Sequence, residues 1–112
     1  MAYFLIQVAY TAEGWAAQIK NPQNVVERTR ASFEKLGGSV VGAWYAFGDY
    51  DLVAIAQFPD SVNVAAYALT AVSGGAGMLK SFKTTPLLSV EEGLAAMKKA
   101  GETQALYRPP GS

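Results

Sequence analysis

A chain of 112 residues is long enough for one domain with a substantial core, and 51% of its residues are hydrophobic while only 16% are charged. Soluble domains carry about 25% charged residues, so the deficit is consistent with surface that is buried in an oligomer. Nine basic and nine acidic residues balance, which argues against a nucleic-acid partner. The lack of cysteine and histidine excludes disulfides, thiol catalysis and a Ser-His-Asp triad within this chain.

The composition also shapes what we expect of ligands and location. Without cysteine or histidine the chain lacks the usual zinc and haem ligands, so we expect neither a metal nor a cofactor. The N-terminal stretch is apolar but short, and it has no basic flank, unlike a signal peptide. Residues 61–79 are uncharged, yet their three glycines make a poor membrane span. We therefore expect a cytoplasmic protein without a membrane partner.

The first predicted elements are a strand and a helix. Ala2–Tyr10 has apolar residues on both faces, which is typical of a central strand that is buried on two sides. Thr11–Lys20 is expected to be a connection with room for a helical turn. Asn21 as N-cap and Pro22 as the first helical residue then predict a helix that ends at two glycines. Its apolar stripe is Pro22, Val26, Thr29, Phe33 and Leu36.

A β-hairpin is predicted over residues 39–58. Gly48 and Asp49 suit the central pair of a two-residue turn with positive φ. That turn sets a register in which Val53 faces Trp44, and further along it pairs Ile55 with Gly42 and Gln57 with Val40. One face of the hairpin is Trp44, Asp51, Val53, Ile55 and Gln57, and the other is Val41, Ala43, Tyr45, Leu52, Ala54 and Ala56.

We expect different neighbours on the two faces of the hairpin. Small residues at Ala43, Ala54 and Ala56 would let helices approach closely, so we place the helices on that side. The opposite face is too apolar for a surface in water, because a wetted sheet face should be polar at every second position. The sequence therefore predicts a partner over the Trp44 face, most simply a second copy of the chain.

The C-terminal half is expected to repeat the pattern of strand and helix. Asp60 or Ser61 caps a second helix that runs to about Ser73 and is apolar nearly all round. A glycine-rich run leads into a strand over residues 78–85. Ser89 and Glu92 form a capping box that begins a third helix. We place the domain at residues 1–101 and expect an extended, non-helical tail over 102–112.

This order is βαββαβ plus a helix, the α+β pattern of ferredoxin-like domains with a four-stranded antiparallel sheet. Two blocks of sequence resemble the GYD domain family of small bacterial proteins. The first comprises Gly48-Asp49-Tyr50-Asp51 and the strand exit Phe58-Pro59-Asp60. The second runs from Ser73 through Lys80-Ser81-Phe82-Lys83 to Glu91-Glu92-Gly93.

The resemblance implies a dimeric α/β barrel, in which the sheets of two subunits pack face to face. Its wider group includes cofactor-independent monooxygenases, isomerases, haem-degrading enzymes and small-molecule sensors. The family brings no established catalytic residue, and the fold alone cannot supply one.

Two functions of different classes follow from the polar residues near the Trp44 face. The first is a homodimer or higher homo-oligomer that binds a small apolar or aromatic molecule in the sheet-lined barrel. The alternative is a cofactor-independent monooxygenase or isomerase for an aromatic or quinone-like substrate, with Asp51 as a weak candidate for the base. A purely structural role is the simpler interpretation of the hairpin tip. The candidate ligand-binding residues are Trp44, Asp51, Gln57, Gln7, Tyr3 and Lys80.

Lysines of the last strand add a further alternative. Lys80 and Lys83 are expected on opposite faces, so that one of them points inward or extends along the edge of the sheet. If a lysine points inward near Asp51, we expect it to form an ion pair with Asp51 rather than to act as a Schiff-base nucleophile. Gln7 and Gln57 must be hydrogen-bonded if buried, either to backbone across the interface or to a ligand.

Overall fold

The computed structural model describes the whole chain, Met1–Ser112, and has the predicted ferredoxin-like α+β fold. One antiparallel sheet of four strands has the order β2-β3-β1-β4. None of the helices is both long and apolar enough to cross a membrane. The elements in chain order are β1 (Ala2–Tyr10), α1 (Ala12–Lys20), α2 (Val25–Lys35), β2 (Ser39–Tyr45), β3 (Leu52–Phe58), α3 (Ser61–Gly74), β4 (Leu79–Leu87) and α4 (Val90–Thr103), followed by a 3-10 helix over Gln104–Leu106.

The core lies on one face of the sheet, where the even-numbered residues of β1 and β3 meet the helices. Phe58 is fully buried, stacked on Phe33 of α2 at 5.2 Å between ring centroids and edge-on to Phe4 at 6.2 Å. Tyr67 of α3 completes this aromatic group, 4.3 Å from Phe33. The buried cluster is Phe4, Ile6, Val8, Tyr10, Phe33, Leu52, Ala54, Ala56, Phe58, Val64 and Tyr67.

The N-terminal helical region differs from the prediction. Residues 12–20 form a full helix, and the Thr11 hydroxyl caps it by accepting from the Gly14 amide at 3.0 Å. Asn21 ends this helix instead of beginning the next one, because its own amide donates to the Ala17 carbonyl at 3.2 Å. Asn24 is the N-cap of α2, so the predicted start was three residues too early and Pro22 lies outside the helix.

The end of α2 agrees with the prediction. Gly37 takes a φ of 72°, and its amide donates to the Glu34 carbonyl at 3.0 Å. The Gly38 amide donates to the Phe33 carbonyl at 2.8 Å, which completes a Schellman motif. A side chain at Gly38 would meet the Phe58 ring at 2.6 Å, so this glycine also lets the helix end approach the core.

The hairpin has the predicted register near its loop but not at its open end. Trp44 pairs with Val53 and Gly42 with Ile55, as expected. A bulge at Val41 then shifts the pairing by one residue, so Gln57 faces Ser39 instead of Val40.

The predicted two-residue turn is wrong. Neither Gly48 nor Asp49 has a positive φ, and the strands are joined by a six-residue loop over residues 46–51. This loop is closed by the Ala46 amide, which donates to the Asp51 carbonyl at 2.7 Å. Hydrogen bonds between Asp51 and β1 stabilise the wider loop. The residues of the turn alone do not predict these bonds, because β1 is distant in the sequence.

Helix α4 extends away from the rest of the molecule. The predicted capping box is present: the Glu92 amide donates to the Ser89 hydroxyl at 3.1 Å, and the Glu92 carboxylate accepts from the Ser89 amide at 2.9 Å. The helix continues to Thr103 and a 3-10 helix follows, so residues 102–106 are helical, contrary to expectation. No residue of α4 is buried.

The overall shape reflects this projecting helix. The radius of gyration is 17.6 Å and the longest dimension is 58 Å. A compact chain of this length has a radius of gyration of about 13 Å. We call α4 and the residues after it, 90–112, the C-terminal arm.

Candidate functional site

The sheet surface opposite the core helices, here called the open face, gathers most of the predicted ligand residues. Register places residues of all four strands in rows across it. One row is Trp44, Val53, Gln7 and Lys83. The next is Gly42, Ile55, Leu5 and Thr85, and the last is Ser39, Gln57, Tyr3 and Leu87.

The open face is apolar at its centre. Leu5, Val53 and Ile55 occupy adjacent positions and are only partly buried. Trp44 is 61% exposed, and its indole lies across Gly42, where a Cβ would come within 2.7 Å of the ring. A side chain at position 42 would therefore displace the indole. The centre of the face is thus apolar, with an aromatic ring beside it on the edge strand β2.

Four of the six predicted ligand residues share this face: Trp44, Gln7, Gln57 and Tyr3. Lys80 does not take part in a row, because it is the extra residue where the pairing of β4 shifts between Ala9 and Tyr10 of β1. Lys83 lies on the open face, directly across from Gln7.

Asp51 lies at the loop end of β3, where it fastens this strand to β1. Its amide donates to the Val8 carbonyl at 2.8 Å, and its carboxylate accepts from the Tyr10 amide at 2.9 Å. The carboxylate thus extends the pairing of β1 with β3 by one contact beyond Val8 and Leu52. Asp51 has a structural role between the two central strands at the loop end of the sheet, and its role as a base stays a prediction.

A second candidate site, here called the helix-side cavity, lies between the sheet and helices α1, α2 and α3. Its volume is about 460 Å³, within the range of 300–1,000 Å³ that is usual for small-molecule sites. Val8, Leu52 and Phe82 form an apolar floor. Polar groups approach from the helices, and they are Gln18, Arg28, Thr29, Ser32, Tyr67 and Thr70.

Two tyrosines and one arginine dominate the electrostatics of this cavity. Burial raises the pKa of the Tyr10 phenol above its usual 10.0, and the nearby Arg28 guanidinium partly opposes the shift. Burial likewise raises the pKa of Tyr67, with Thr29 and Arg28 acting in the opposite direction. Both phenols therefore stay protonated at neutral pH and can donate hydrogen bonds.

Sequence reasoning missed the helix-side cavity. Tyr10, Arg28 and Tyr67 come from three separate elements, so no local motif joins them. One signal was available: Arg28 has no acidic residue three or four positions away, whereas Arg30 has both Glu27 and Glu34. An arginine without a helical partner is a reasonable candidate for a ligand contact.

Comparison with known proteins identifies the family of this chain. The GYD domain matches residues 4–97, which is most of the chain. The chain belongs to the GYD domain family. Among curated proteins, none is similar enough in sequence to count as a relative.

Two solved structures share the fold of this GYD protein. The crystal structure of FFRP-DM1 has a TM-score of 0.54 at 16% identity, covering 79% of this chain and all of its own. The hypothetical protein PHS023 from Pyrococcus horikoshii has a TM-score of 0.53 at 16% identity, covering 80% of this chain and 92% of its own. At this identity the likeness establishes the fold and nothing about function.

Proposed function

We propose that this GYD protein functions as a homo-oligomer, at least a dimer, and that a small apolar or aromatic molecule binds in the barrel between two open faces. The observation that carries the proposal is the apolar centre of the open face, at Leu5, Val53 and Ile55. Apolar surface of this kind is removed from water most simply by an identical surface, since two copies related by a two-fold axis present the same patch.

The area of the open face agrees with an interface of this kind. Strands β2 and β3 are seven residues long. At about 3.4 Å per residue and about 4.8 Å between strands, the face projects to roughly 24 by 19 Å, or about 450 Å². That is in the range of the largest patch on a monomer, about 300–600 Å², and roughly half of the 800 Å² that each partner buries in a standard interface.

The C-terminal arm supplies a second surface that lacks a partner. Val90, Leu94 and Met97 form an apolar edge along α4 and are 87%, 50% and 66% exposed. A helix of this length gains most of its stability from packing an apolar edge against another element. Contact between the arm and a second subunit would bury further area. Together with the open face, this area would reach what a stable dimer requires.

Polar residues on the open face support the ligand-binding part of the proposal. Gln7, Gln57 and Tyr3 stand among apolar neighbours, and Lys83 lies directly across from Gln7. Between two sheets these groups would be removed from water and would need hydrogen-bond partners. A small molecule with an apolar body and one or two polar groups would satisfy them.

The alternative function, a cofactor-independent monooxygenase or isomerase, has less support. Its candidate base, Asp51, already accepts a hydrogen bond from the Tyr10 amide. The carboxylate is therefore already engaged in the contact between β3 and β1. The binding function is therefore our preferred assignment.

The experiment that tests the assembly is sedimentation velocity of Trp44→Lys beside the wild type and Phe47→Lys. Both positions are exposed aromatic residues, at 61% and 90%, but Phe47 lies in the hairpin loop and not on the open face. We expect the wild type and Phe47→Lys to sediment as the same oligomer and Trp44→Lys to sediment as a folded monomer, checked by circular dichroism. A monomeric wild type, or an oligomer unaffected by Trp44→Lys, would contradict the proposal.

The ligand part has a separate test. Native mass spectrometry of the protein purified from its own host reports the subunit count and any retained small molecule together. We expect a retained species that is released when Trp44→Lys separates the subunits. A wild-type oligomer that carries no ligand would leave the assembly intact but overturn the binding role of the barrel.

A further inference from the structure

The helix-side cavity has a chemistry of its own, distinct from that of the open face. None of its lining residues belongs to the open face, since the cavity lies on the other side of the sheet. Its walls come from the sheet and three helices of one chain, so it does not require a second subunit. A ligand bound here would therefore be independent of the assembly proposed above.

The shape of the cavity suits a molecule with an apolar body. A smaller apolar cavity of about 50 Å³ adjoins it beneath α2 and is lined by Ile6, Val26 and Phe33 among others. The two spaces share six lining residues: Val8, Val25, Thr29, Leu52, Tyr67 and Phe82. An apolar chain or ring could extend from the larger space across the shared residues into the smaller one.

The only charge in the cavity lining is positive. Arg28 is the only charged residue among the 17 that line it, and the lining contains no aspartate or glutamate. Arg28 forms no salt bridge, whereas Arg30, two residues further along the same helix, is paired with Glu27. The cavity thus opens next to a guanidinium group that lacks a counter-ion from the protein.

Two phenols stand beside this guanidinium. Tyr10 and Tyr67 are each only 9% exposed, and both lie close enough to Arg28 for its charge to lower their pKa against the effect of burial. A neutral phenol is a hydrogen-bond donor, and a guanidinium offers up to five donors in a planar fork that fits a carboxylate. Donors from α2, α3 and β1 therefore converge on one region of the wall.

We propose that the helix-side cavity binds a small amphiphilic monocarboxylate, with its carboxylate at Arg28 and its apolar part on the floor formed by Val8, Leu52 and Phe82. Charge-assisted bonds from arginine to carboxylate are stronger than neutral hydrogen bonds, so Arg28 determines the choice of an anion. The absence of any acidic group in the lining disfavours cations. The apolar floor and its extension favour an acid with a hydrocarbon or aromatic body over a polar one.

The test compares octanoate with 1-octanol, which has the same chain and no charge, by isothermal titration calorimetry and by NMR shifts of the tyrosine rings. We expect octanoate to bind saturably at one molecule per chain and to shift Tyr10 and Tyr67. We expect 1-octanol to bind at least about tenfold more weakly. Arg28→Gln should weaken octanoate binding by at least about tenfold, because it removes the positive charge and the guanidinium fork while keeping a polar side chain.

Arg30→Gln is the matched control, since it removes a guanidinium from the same helix but not from the cavity wall. We expect octanoate affinity within about twofold of the wild type. Equal affinity for octanoate and 1-octanol, unchanged binding in Arg28→Gln, or shifts confined to residues of the open face would each overturn the proposal. Loss of oligomerisation in Trp44→Lys would not affect it.

Discussion

In the middle of β3, the two faces of the sheet differ more in the size of their side chains than in their hydrophobicity. On β3 the face under the helices carries Ala54 and Ala56, which are 8% and 0% exposed. The open face carries the larger Val53 and Ile55, which are only partly buried. The small residues let helices approach, and the larger ones remain available to a partner.

This difference teaches how a strand that is apolar on both sides can be interpreted. Hydrophobicity alone leaves the two faces of β3 almost equivalent, since only Gln57 is polar among its seven residues. Helices pack closely on small residues because their backbones can then approach the sheet. The small residues Ala54 and Ala56 in the middle of β3 thus indicate the helix side, and the opposite face becomes the candidate interface.

The largest effect is expected on the helix-covered face. Phe58→Ala removes a fully buried ring that contacts Phe33 and Phe4, and it should lower the free energy of unfolding by about 3–5 kcal/mol. Phe47→Ala is the control, because its side chain is 90% exposed and its loss should cost within about 0.5 kcal/mol. Urea denaturation measures both. Similar losses in the two variants would break the distinction between covered and exposed positions.

Local sequence signals predicted the parts of the fold that depend on local contacts. The capping box of Ser89 and Glu92 and the Asp60 cap of α3 each join groups three residues apart, and both are present. The glycine that ends α2 is likewise a backbone requirement. Strand alternation placed Trp44, Gln7, Gln57 and Tyr3 on one face because the period of a strand is two residues.

Several of the errors came from contacts between distant elements, whereas the start of α2 was misplaced by a local choice between two asparagine caps, Asn21 and Asn24. Helix α1 was missed because its position depends on Gly14, where a Cβ would come within 2.3 Å of the Met78 carbonyl, more than 60 residues away. The hairpin loop is wider than a two-residue turn because Asp51 is bound to β1. The helix-side cavity exists only once three helices are placed over the sheet. Local periodicity contains none of this information.

An intermediate effect on stability is expected at Asp51, which joins the N-terminal end of β3 to β1. Asp51→Ala removes the acceptor of the Tyr10 amide and should lower the free energy of unfolding by about 1–2 kcal/mol, since a partly buried donor loses a charged partner. Asp51→Asn retains a side-chain oxygen, so it should lose less than half as much. Thermal and urea unfolding measure the two variants. If Asp51→Ala is as stable as the wild type, the hydrogen bond to Tyr10 is not a structural contact.

The smallest effect on unfolding is expected on the open face, where the comparison between the two faces is tested most directly. Ile55→Thr keeps a branched Cβ and therefore the strand preference, but it adds a hydroxyl among Leu5 and Gly42. In an isolated subunit this position is only partly buried, so the free energy of unfolding should fall by no more than about 1 kcal/mol.

In an assembly with paired open faces the same hydroxyl would be buried without a partner, at a cost of about 1–3 kcal/mol. Sedimentation equilibrium should then show a dissociation constant raised by at least about tenfold, a factor that corresponds to 1.4 kcal/mol. The control is Ala54→Ser on the covered face, where the added hydroxyl lies under the helices and should lower stability without changing the dissociation constant. If both variants affect only stability, or both affect only association, the two faces do not have the separate roles that their side chains indicate.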